Sequence, residues 1–130
     1  MISSFEKIKP RILIVDDERQ IGELLSDFLS AKGYEVLYAQ SGEDGIAFVK
    51  RARPHAVLLD VRMAGMNGLD VLKQLMELDP RLGVIMVTAL NEEEIGREAL
   101  KLGAADFITK PIDFTYLETS LRHKFSVMFD

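Results

Sequence analysis

The 130-residue chain has no cysteine, no long apolar segment and fewer basic than acidic residues. The lack of cysteine excludes disulfides and thiolate metal sites, and it fits a cytoplasmic location. No stretch approaches the roughly 20 apolar residues that a membrane-spanning helix needs. The net charge of -5 argues against sequence-independent binding to nucleic acid, which relies on clustered Lys and Arg. We therefore expect neither membrane insertion nor direct nucleic acid binding.

Signals for targeting, nucleotide binding and multiple domains are also missing. Residues 1–11 lack the apolar segment and cleavage site of a secretory signal. Neither a GxGxxG nor a P-loop pattern occurs, which disfavours a nucleotide- or flavin-binding role. No repeat and no linker rich in Pro, Gly or Ser divides the chain. With 48% hydrophobic residues, these absences favour one domain over residues 11–125, an N-terminal extension over 1–10 and a C-terminal tail over 126–130.

Strand-like apolar runs alternate five times with segments of helical periodicity. The runs cover residues 12–15, 35–39, 56–59, 84–87 and 105–108. Alternating units of this length build parallel sheets with right-handed crossovers. The runs are almost continuously hydrophobic, as expected for strands that are covered on both faces. We predict a doubly wound α/β fold with a five-stranded parallel sheet flanked by five helices. If the strand order is 2-1-3-4-5, as in the flavodoxin-like folds that this pattern resembles, the order reverses between strands 1 and 3.

Capping residues and apolar spacing predict where the helices begin and which faces they bury. Ser41 is predicted to cap the second helix and Asp113 the fifth. The fourth helix is expected over about 92–102, with an acidic first turn that begins at Glu92 and suits the helix dipole. Two apolar stripes are predicted to face the core: Ile21, Leu24, Leu25, Phe28 and Leu29 in the first helix, and Leu117, Leu121 and Phe125 in the fifth.

Residues suited to phosphate chemistry follow four of the five strands. Asp16 and Asp17 follow strand 1, Asp60 follows strand 3, Thr88 follows strand 4, and Lys110 lies just beyond strand 5. In doubly wound sheets, ligands bind beyond the carboxyl ends of the strands, where the strand order reverses. Three carboxylates in one crevice repel one another unless a cation intervenes. Mg²⁺, a hard cation that prefers oxygen ligands, is the most economical choice.

Asp60 is the best candidate for a nucleophile toward phosphorus, because carboxylates can form aspartyl phosphates. The loop that follows it leaves room above its side chain. Lys110 would compensate charge during the transfer, and Thr88 could donate a hydrogen bond to a phosphoryl oxygen. A cis bond before Pro111 would aim the Lys110 ammonium into the crevice, since X-Pro bonds alone adopt that geometry cheaply. The sequence thus predicts a metal-assisted phosphoacceptor site.

The chain resembles the receiver domains of two-component response regulators, including the single-domain chemotaxis type, over nearly its whole length. The resemblance implies that a sensor histidine kinase phosphorylates Asp60. It also implies that the backbone carbonyl of Arg62 joins Asp17 and Asp60 as a metal ligand, while Asp16 binds mostly through water. The resemblance is carried by these landmarks: Val15, Asp16, Asp17, Glu18, Asp60, Val61, Arg62, Met63, Asn67, Gly68, Thr88, Ala89, Lys110 and Pro111.

The same resemblance implies a switch. Thr88 would move toward the phosphoryl oxygens, and the aromatic ring of Phe107 would rotate into the space that Thr88 leaves. The surface formed by helix 4, strand 5 and helix 5 would then change for an unknown output domain or protein, and a homodimer through this surface stays open. Phe107 lacks the hydroxyl of the Tyr often found there, and Ala64 stands where many receivers have Pro. Arg62 matches a family position that tunes the phosphoryl lifetime.

Each of these site residues could also have an ordinary role. Asp16 or Asp17 could cap a helix, Thr88 could cap helix 4, and Lys110 could be a solvated cation, but together these require independent accidents at one sheet edge.

An aspartate-nucleophile phosphatase needs a second acid two residues after Asp60, where this chain has Arg62. A pseudo-receiver that works without phosphorylation is disfavoured by the complete acidic set. We therefore predict a signalling module and not an enzyme. His55 and His123 are expected to be surface or packing residues.

Overall fold

A computed structural model describes residues 9–63 and 65–129 of the chain. Most of the expected N-terminal extension, the Ala64 position and the last residue of the expected tail lie outside the described residues. The strands are β1 (Arg11–Val15), β2 (Glu35–Ala39), β3 (Ala56–Asp60), β4 (Gly83–Thr88) and β5 (Asp106–Thr109). The helices are α1 (Arg19–Ala31), α2 (Gly42–Ala52), α3 (Gly68–Leu78), α4 (Glu93–Lys101) and α5 (Phe114–Phe129).

The five strands form one parallel sheet in the order β2-β1-β3-β4-β5, which confirms the predicted topology. Strand order reverses between β1 and β3, because the chain first adds β2 on one side of β1 and then continues on the other. Val15 at the end of β1 pairs with Leu59, so Asp16 and Asp60 emerge at neighbouring strand ends. Thr88 pairs with Thr109 at the same edge. The sheet thus gathers the predicted site residues along its carboxyl edge.

Helices cover both faces of the sheet because successive strand residues point to opposite sides. In β1, Leu13 and Val15 belong to the core that also contains residues of α2, α3 and α4, whereas Ile12 and Ile14 belong to the core that contains residues of α1 and α5. All four side chains are at most 1% exposed. Full burial of an aliphatic side chain contributes roughly 1.5–3 kcal/mol. Continuous hydrophobicity in the strands therefore stabilises two separate cores.

Several predicted details of the helices are confirmed. Ser41 Oγ accepts a hydrogen bond from the Asp44 amide, and Asp113 Oδ1 accepts one from the Tyr116 amide. The stripe of α5 is buried as expected. The stripe of α1 was predicted too wide, since Leu24 is 55% exposed. Helix α4 begins one residue later than predicted, at Glu93, and Glu92 precedes it.

The last helix continues to Phe129, beyond the expected boundary at residue 125. The Phe129 ring lies edge-on to His55, with 5.0 Å between ring centroids. His55 Nδ1 accepts a hydrogen bond from the Arg11 amide, so this histidine joins the start of β1 to the end of α5. His55 is a packing residue, as expected. Among the described residues, no helix has both the length and the apolar character needed to cross a membrane.

Candidate functional site

Three carboxylates converge where the strand order reverses. Asp16, Asp17 and Asp60 each offer a carboxylate oxygen within 4.8 Å of the other two. Asp16 and Asp60 are each only 3% exposed, whereas Asp17 is exposed. Burial of two such groups side by side is costly unless hydrogen bonds or a cation offset their charge. The trio predicted from the sequence is therefore one cluster in space.

Asp16 is held in place through its backbone and its side chain. Its amide donates to the Ala39 carbonyl at 3.1 Å, and its own carbonyl accepts from the Tyr38 hydroxyl at 2.7 Å. Its Oδ1 atom accepts from the Glu18 amide at 2.8 Å. Gly22 leaves room for the Tyr38 ring, since a Cβ there would lie 2.2 Å from a ring carbon. Sequence reasoning missed Tyr38, because a tyrosine within a strand carries no signal of a contact with a loop.

Burial raises the pKa of Asp16 to about 6, and the nearby charge of Asp60 adds to this effect. The hydrogen bond from the Glu18 amide and the ammonium of Lys110 act in the opposite direction. Without a bound cation, Asp16 thus holds a proton more tightly than an exposed aspartate does. A cation among the three carboxylates would favour the ionised form, because an opposite charge within a few ångströms stabilises it.

Asp60 lies between two hydrogen-bond donors at the end of β3. Its Oδ2 atom accepts from Lys110 Nζ at 3.0 Å, and its Oδ1 atom accepts from the Arg62 amide at 3.0 Å. Burial lowers the pKa of Lys110, but the hydrogen bond to Asp60 and the surrounding carboxylates outweigh it and raise that pKa. Lys110 therefore stays an ammonium beside Asp60. The Lys110–Pro111 peptide bond is cis.

Thr88 and Phe107 lie beside the site and do not contact Asp60 by any observed hydrogen bond among the described residues. Thr88 is buried, and its Oγ1 atom donates to the Ile108 carbonyl at 3.5 Å. The Phe107 ring is half-buried against α4, where a Cβ at Gly96 would lie 2.4 Å from a ring carbon. Strand β4 thus presents Thr88 toward β5, and β5 presents Phe107 toward α4.

A cavity of about 300 Å³ opens above Asp60. Arg62 lies on one side of it, in the loop that follows β3. The loop that contains Arg62 approaches the start of α3 closely, since a Cβ at Gly68 would lie 2.7 Å from the Val61 carbonyl oxygen. This approach explains why a glycine follows Asn67. The cavity is lined by Asp60, Arg62, Ala89, Asn91, Glu92 and Lys110.

Glu92 is the functional candidate that the sequence assigned to another role. We expected it in the acidic first turn of a helix, yet it precedes α4, is only 6% exposed and lines the cavity. Its Oε1 atom accepts from the Ala89 amide at 3.2 Å, and its Oε2 atom forms an ion pair with Arg62 Nε. Residues 92–94 are all glutamates, so the sequence does not indicate which of them turns inward, and it carries no signal for this contact.

The donor set fits a hard divalent cation. The cluster supplies oxygen atoms from three carboxylates, and Mg²⁺ and Ca²⁺ prefer oxygen ligands. Mg²⁺ usually binds through one or two carboxylates and keeps several waters, which agrees with a cluster that is open to solvent at Asp17. The fold and the site together define a doubly wound α/β domain with a cluster of three carboxylates at its topological switch point.

Comparison with known proteins agrees with this class. The sequence model described as response regulator receiver domain matches residues 12–122. The chain is 38% identical to the chemotaxis protein CheY of Thermotoga maritima, over 78% of this chain and 85% of that protein. It is 34% identical to sporulation initiation phosphotransferase F of Bacillus subtilis, over 86% of this chain and 90% of that protein. The chain therefore belongs to the response regulator receiver domain family.

Solved structures give the same result. A CheY-like receiver domain protein from Methanospirillum hungatei superposes with a TM-score of 0.84 at 31% identity, covering 88% of this chain and 92% of that one. The receiver domain of NtrX from Brucella abortus gives a TM-score of 0.83 at 31% identity, covering 87% and 96%.

Another relative is much longer than the matched region. The transcriptional regulatory protein ZraR of Salmonella typhimurium is 41% identical over 85% of this chain, and the match spans only 25% of ZraR. The similarity concerns a receiver domain of two-component response regulators, a kind of signalling module and not a classical enzyme.

Proposed function

We propose that Asp60 is the phosphoacceptor of this domain and that a histidine kinase is the donor. A carboxylate oxygen of Asp60 would attack phosphorus and form a new P–O bond, while the P–N bond to the donor imidazole breaks. The imidazole nitrogen keeps the electron pair of that bond, and it leaves as a neutral group when the other ring nitrogen carries a proton. The position of Asp60 beside Lys110 and the acidic pair, below an open cavity, is the observation that carries this proposal.

Each neighbouring residue would contribute positioning or charge, which is most of what phosphoryl transfer requires. Lys110 fixes the orientation of Oδ2 and offsets the negative charge that arrives with phosphorus. The Arg62 amide fixes Oδ1, so the carboxylate plane is set before the donor arrives. These two residues and Asp60 line the same cavity, through which the phosphoryl donor would approach. Preorganised donors of this kind cost no reorganisation at the moment of reaction.

We propose Mg²⁺ as the cation, held by Asp17, Asp60 and the backbone carbonyl of Arg62, with Asp16 acting mostly through water. When bound, Mg²⁺ would supply Lewis-acid neutralisation of the phosphoryl oxygens. Asp16 would set the position of the acidic loop, because its backbone is tied to Ala39 and Tyr38. The phosphoryl transfer to Asp60 would take place in the cytoplasm, the location that a cysteine-free composition favours.

We further propose that phosphorylation alters the surface of α4, β5 and α5, which an output domain or protein would read. Thr88 would exchange its hydrogen bond to Ile108 for one to the phosphoryl group. Phe107 would move with it, since its ring lies between β5 and α4. A local change in charge and hydrogen bonding would thus bias a two-state arrangement of these elements. A homodimer through the same surface is one way to use it.

The test is phosphorylation by acetyl phosphate in MgCl₂, followed by intact-mass spectrometry. We expect wild type to gain one phosphoryl group, Asp60→Asn to gain none, and EDTA to prevent the reaction. Asp70→Asn, which removes an exposed carboxylate from α3, is the matched control and should behave as wild type. Equal labelling of wild type and Asp60→Asn would contradict the assignment, as would wild type that stays unlabelled. Steady turnover of p-nitrophenyl phosphate would instead support the phosphatase alternative.

A further inference from the structure

The carboxylate of Glu92 uses both of its oxygens inside the cavity above Asp60. Oε1 accepts from the Ala89 amide at 3.2 Å, and Oε2 pairs with Arg62 Nε. The glutamate side chain is 6% exposed, although that of Arg62 is 75% exposed. A buried carboxylate is stable only when donors satisfy it. Glu92 is therefore an anion that this cavity already holds.

The donors that hold Glu92 lie where a phosphoryl group would need donors. Phosphorylation of Asp60 brings three additional oxygens into the cavity. Asp60 already uses Lys110 for one oxygen and the Arg62 amide for the other. The Ala89 amide and the Arg62 guanidinium belong to residues that line the same cavity, and both already bond to a carboxylate. A phosphoryl dianion is a stronger acceptor for such groups, since charge-assisted hydrogen bonds grow with the charge of the acceptor.

We propose that Glu92 is an internal competitor of the phosphoryl group, an inference that rests on the phosphoacceptor function of Asp60. In the unphosphorylated domain, Glu92 holds the Ala89 amide and the Arg62 guanidinium. In the phosphorylated domain, the phosphoryl oxygens take these two donors, and the Glu92 side chain is released toward solvent. Glu92 thus slows phosphorylation by occupying the donors that would stabilise the product.

Release of Glu92 would act directly on helix α4. Glu92 is the residue before the helix, and its carbonyl accepts from the amides of Ile95 and Gly96 at 3.0 and 3.3 Å. Its side chain thus ties the first turn of α4 to the Ala89 backbone and to Arg62. If the phosphoryl group takes these two donors, the first turn of α4 loses its side-chain contacts with Ala89 and Arg62. The competitor is therefore also a link between the phosphoacceptor and the proposed output surface.

Neighbouring glutamates offer matched controls, because they carry the same charge in the same turn. Glu93 is half exposed and forms an i,i+4 pair with Arg97 at 3.7 Å. Glu94 is exposed. Glu94→Gln removes one negative charge near the site without opening the contact to Ala89. Any effect of Glu92→Gln beyond that of Glu94→Gln therefore comes from the contact and not from net charge.

The experiment compares wild type with Glu92→Gln, Glu92→Asp and Glu94→Gln. The phosphorylation rate of each is measured with acetyl phosphate in saturating MgCl₂, and thermal unfolding checks the fold. We expect Glu92→Gln to react about two- to tenfold faster than wild type, the range that the net contribution of one typical hydrogen bond sets. Glu92→Asp keeps the charge but is one methylene too short to reach both donors, so it should also react faster. Glu94→Gln should match wild type.

A second measurement uses beryllium fluoride, which adds to a carboxylate as a mimic of the phosphoryl group. Glu92→Gln should bind it more tightly than wild type by a similar factor. This gain should shrink in an Arg62→Ala background, because one of the two contested donors is then absent. A merely structural glutamate would give the opposite result, with lower unfolding temperature, slower phosphorylation and weaker binding.

The outcomes separate this inference from the function on which it rests. Wild type that accepts phosphate, with Glu92→Gln and Glu92→Asp equal to or slower than Glu94→Gln, would overturn the competitor role and leave Asp60 as phosphoacceptor. Wild type that accepts no phosphate would remove the proposed function itself. If Glu92→Gln does not fold, Glu92→Asp alone decides between faster and unchanged phosphorylation.

Discussion

The ammonium of Lys110 lies 3.0 Å from Oδ2 of Asp60, although the two residues are fifty positions apart in the sequence. Strands β3 and β5 are not neighbours in the sheet, since β4 lies between them. The lysine side chain therefore reaches across β4 to Asp60, the proposed phosphoacceptor. This pair is the main cation–anion contact of Asp60, and it defines the orientation of that carboxylate.

Replacement of Lys110 by Met should weaken both stability and phosphorylation. Asp60 is 3% exposed and would be left beside two other carboxylates without the ammonium of Lys110. Because Lys110 itself is partly exposed, we expect a loss of about 1–3 kcal/mol in the free energy of unfolding without metal. The phosphorylation rate should fall by about a hundredfold, the usual cost of losing one preorganised donor. Urea unfolding with and without MgCl₂, and acetyl phosphate labelling, measure the two effects.

Lys73→Met, which removes an exposed ammonium from α3, is the matched control for Lys110→Met. It should leave both quantities near their wild-type values. A Lys110→Met variant that labels as fast as Lys73→Met would contradict the role given to this lysine.

Asp16→Asn should stabilise the metal-free domain near neutral pH. The pKa of Asp16 rises to about 6 in the folded protein, so the folded state binds this proton more tightly than the unfolded chain does. The stability contribution of the group therefore falls as pH rises from about 4 to about 6, and it stays low above that range. We expect a gain of about 1–3 kcal/mol for Asp16→Asn at pH 7, and little difference at pH 4.

Unfolding of wild type and Asp16→Asn across this pH range measures the effect. Asp27→Asn, which changes an exposed carboxylate on α1, provides the control. Addition of MgCl₂ should reduce the difference between wild type and Asp16→Asn at pH 7, because the cation favours the ionised carboxylate. A difference that is independent of pH would show that burial of the Asp16 charge is not its cause.

Tyr38→Phe should weaken Mg²⁺ binding and modestly lower the stability of the domain. The Tyr38 hydroxyl donates to the Asp16 carbonyl at 2.7 Å and so positions the acidic loop. Loss of one such bond costs about 0.5–1.5 kcal/mol, which corresponds to a roughly two- to tenfold weaker affinity if the loop loses its position. Titration calorimetry with MgCl₂ measures this change. Tyr116→Phe also removes a hydroxyl that bonds to another residue, and it should leave the affinity unchanged.

Gly96→Ala should destabilise the domain, although alanine normally favours helices. A Cβ at Gly96 would lie 2.4 Å from a carbon of the Phe107 ring, so ring or helix must shift. Overpacking of this kind costs about 1–3 kcal/mol. Thermal unfolding of Gly96→Ala, Phe107→Leu and the double variant forms a cycle in which the smaller Leu side chain relieves the cost. An equally stable Gly96→Ala domain would rule out the close contact.

The sequence was sufficient to predict the sheet order and the convergence of Asp16, Asp17, Asp60 and Lys110. The convergence follows from the rule that parallel strands end at one edge, and the sheet order follows from the resemblance to receiver domains, so neither needs knowledge of loop geometry. The caps at Ser41 and Asp113 were predictable for a similar reason, because their hydrogen bonds are local.

Contacts that depend on the path of a loop were not predictable. Glu92 turns inward to Ala89 and Arg62, whereas the adjacent Glu93 and Glu94 face solvent. The three residues have the same chemistry, so only the tertiary position of Arg62 distinguishes them. Leu24 shows the converse case, since helical spacing marks it as inward although no neighbouring element covers it fully.

Strand β5 lies at the edge of the sheet and is shared between its two layers. Phe107 packs with the core beneath α4, and the next residue, Ile108, packs with the core beneath α5. A sideways displacement of this short strand would change its packing contacts with both helices at the same time. Proteins that recognise either helix could thus respond to one event at Asp60.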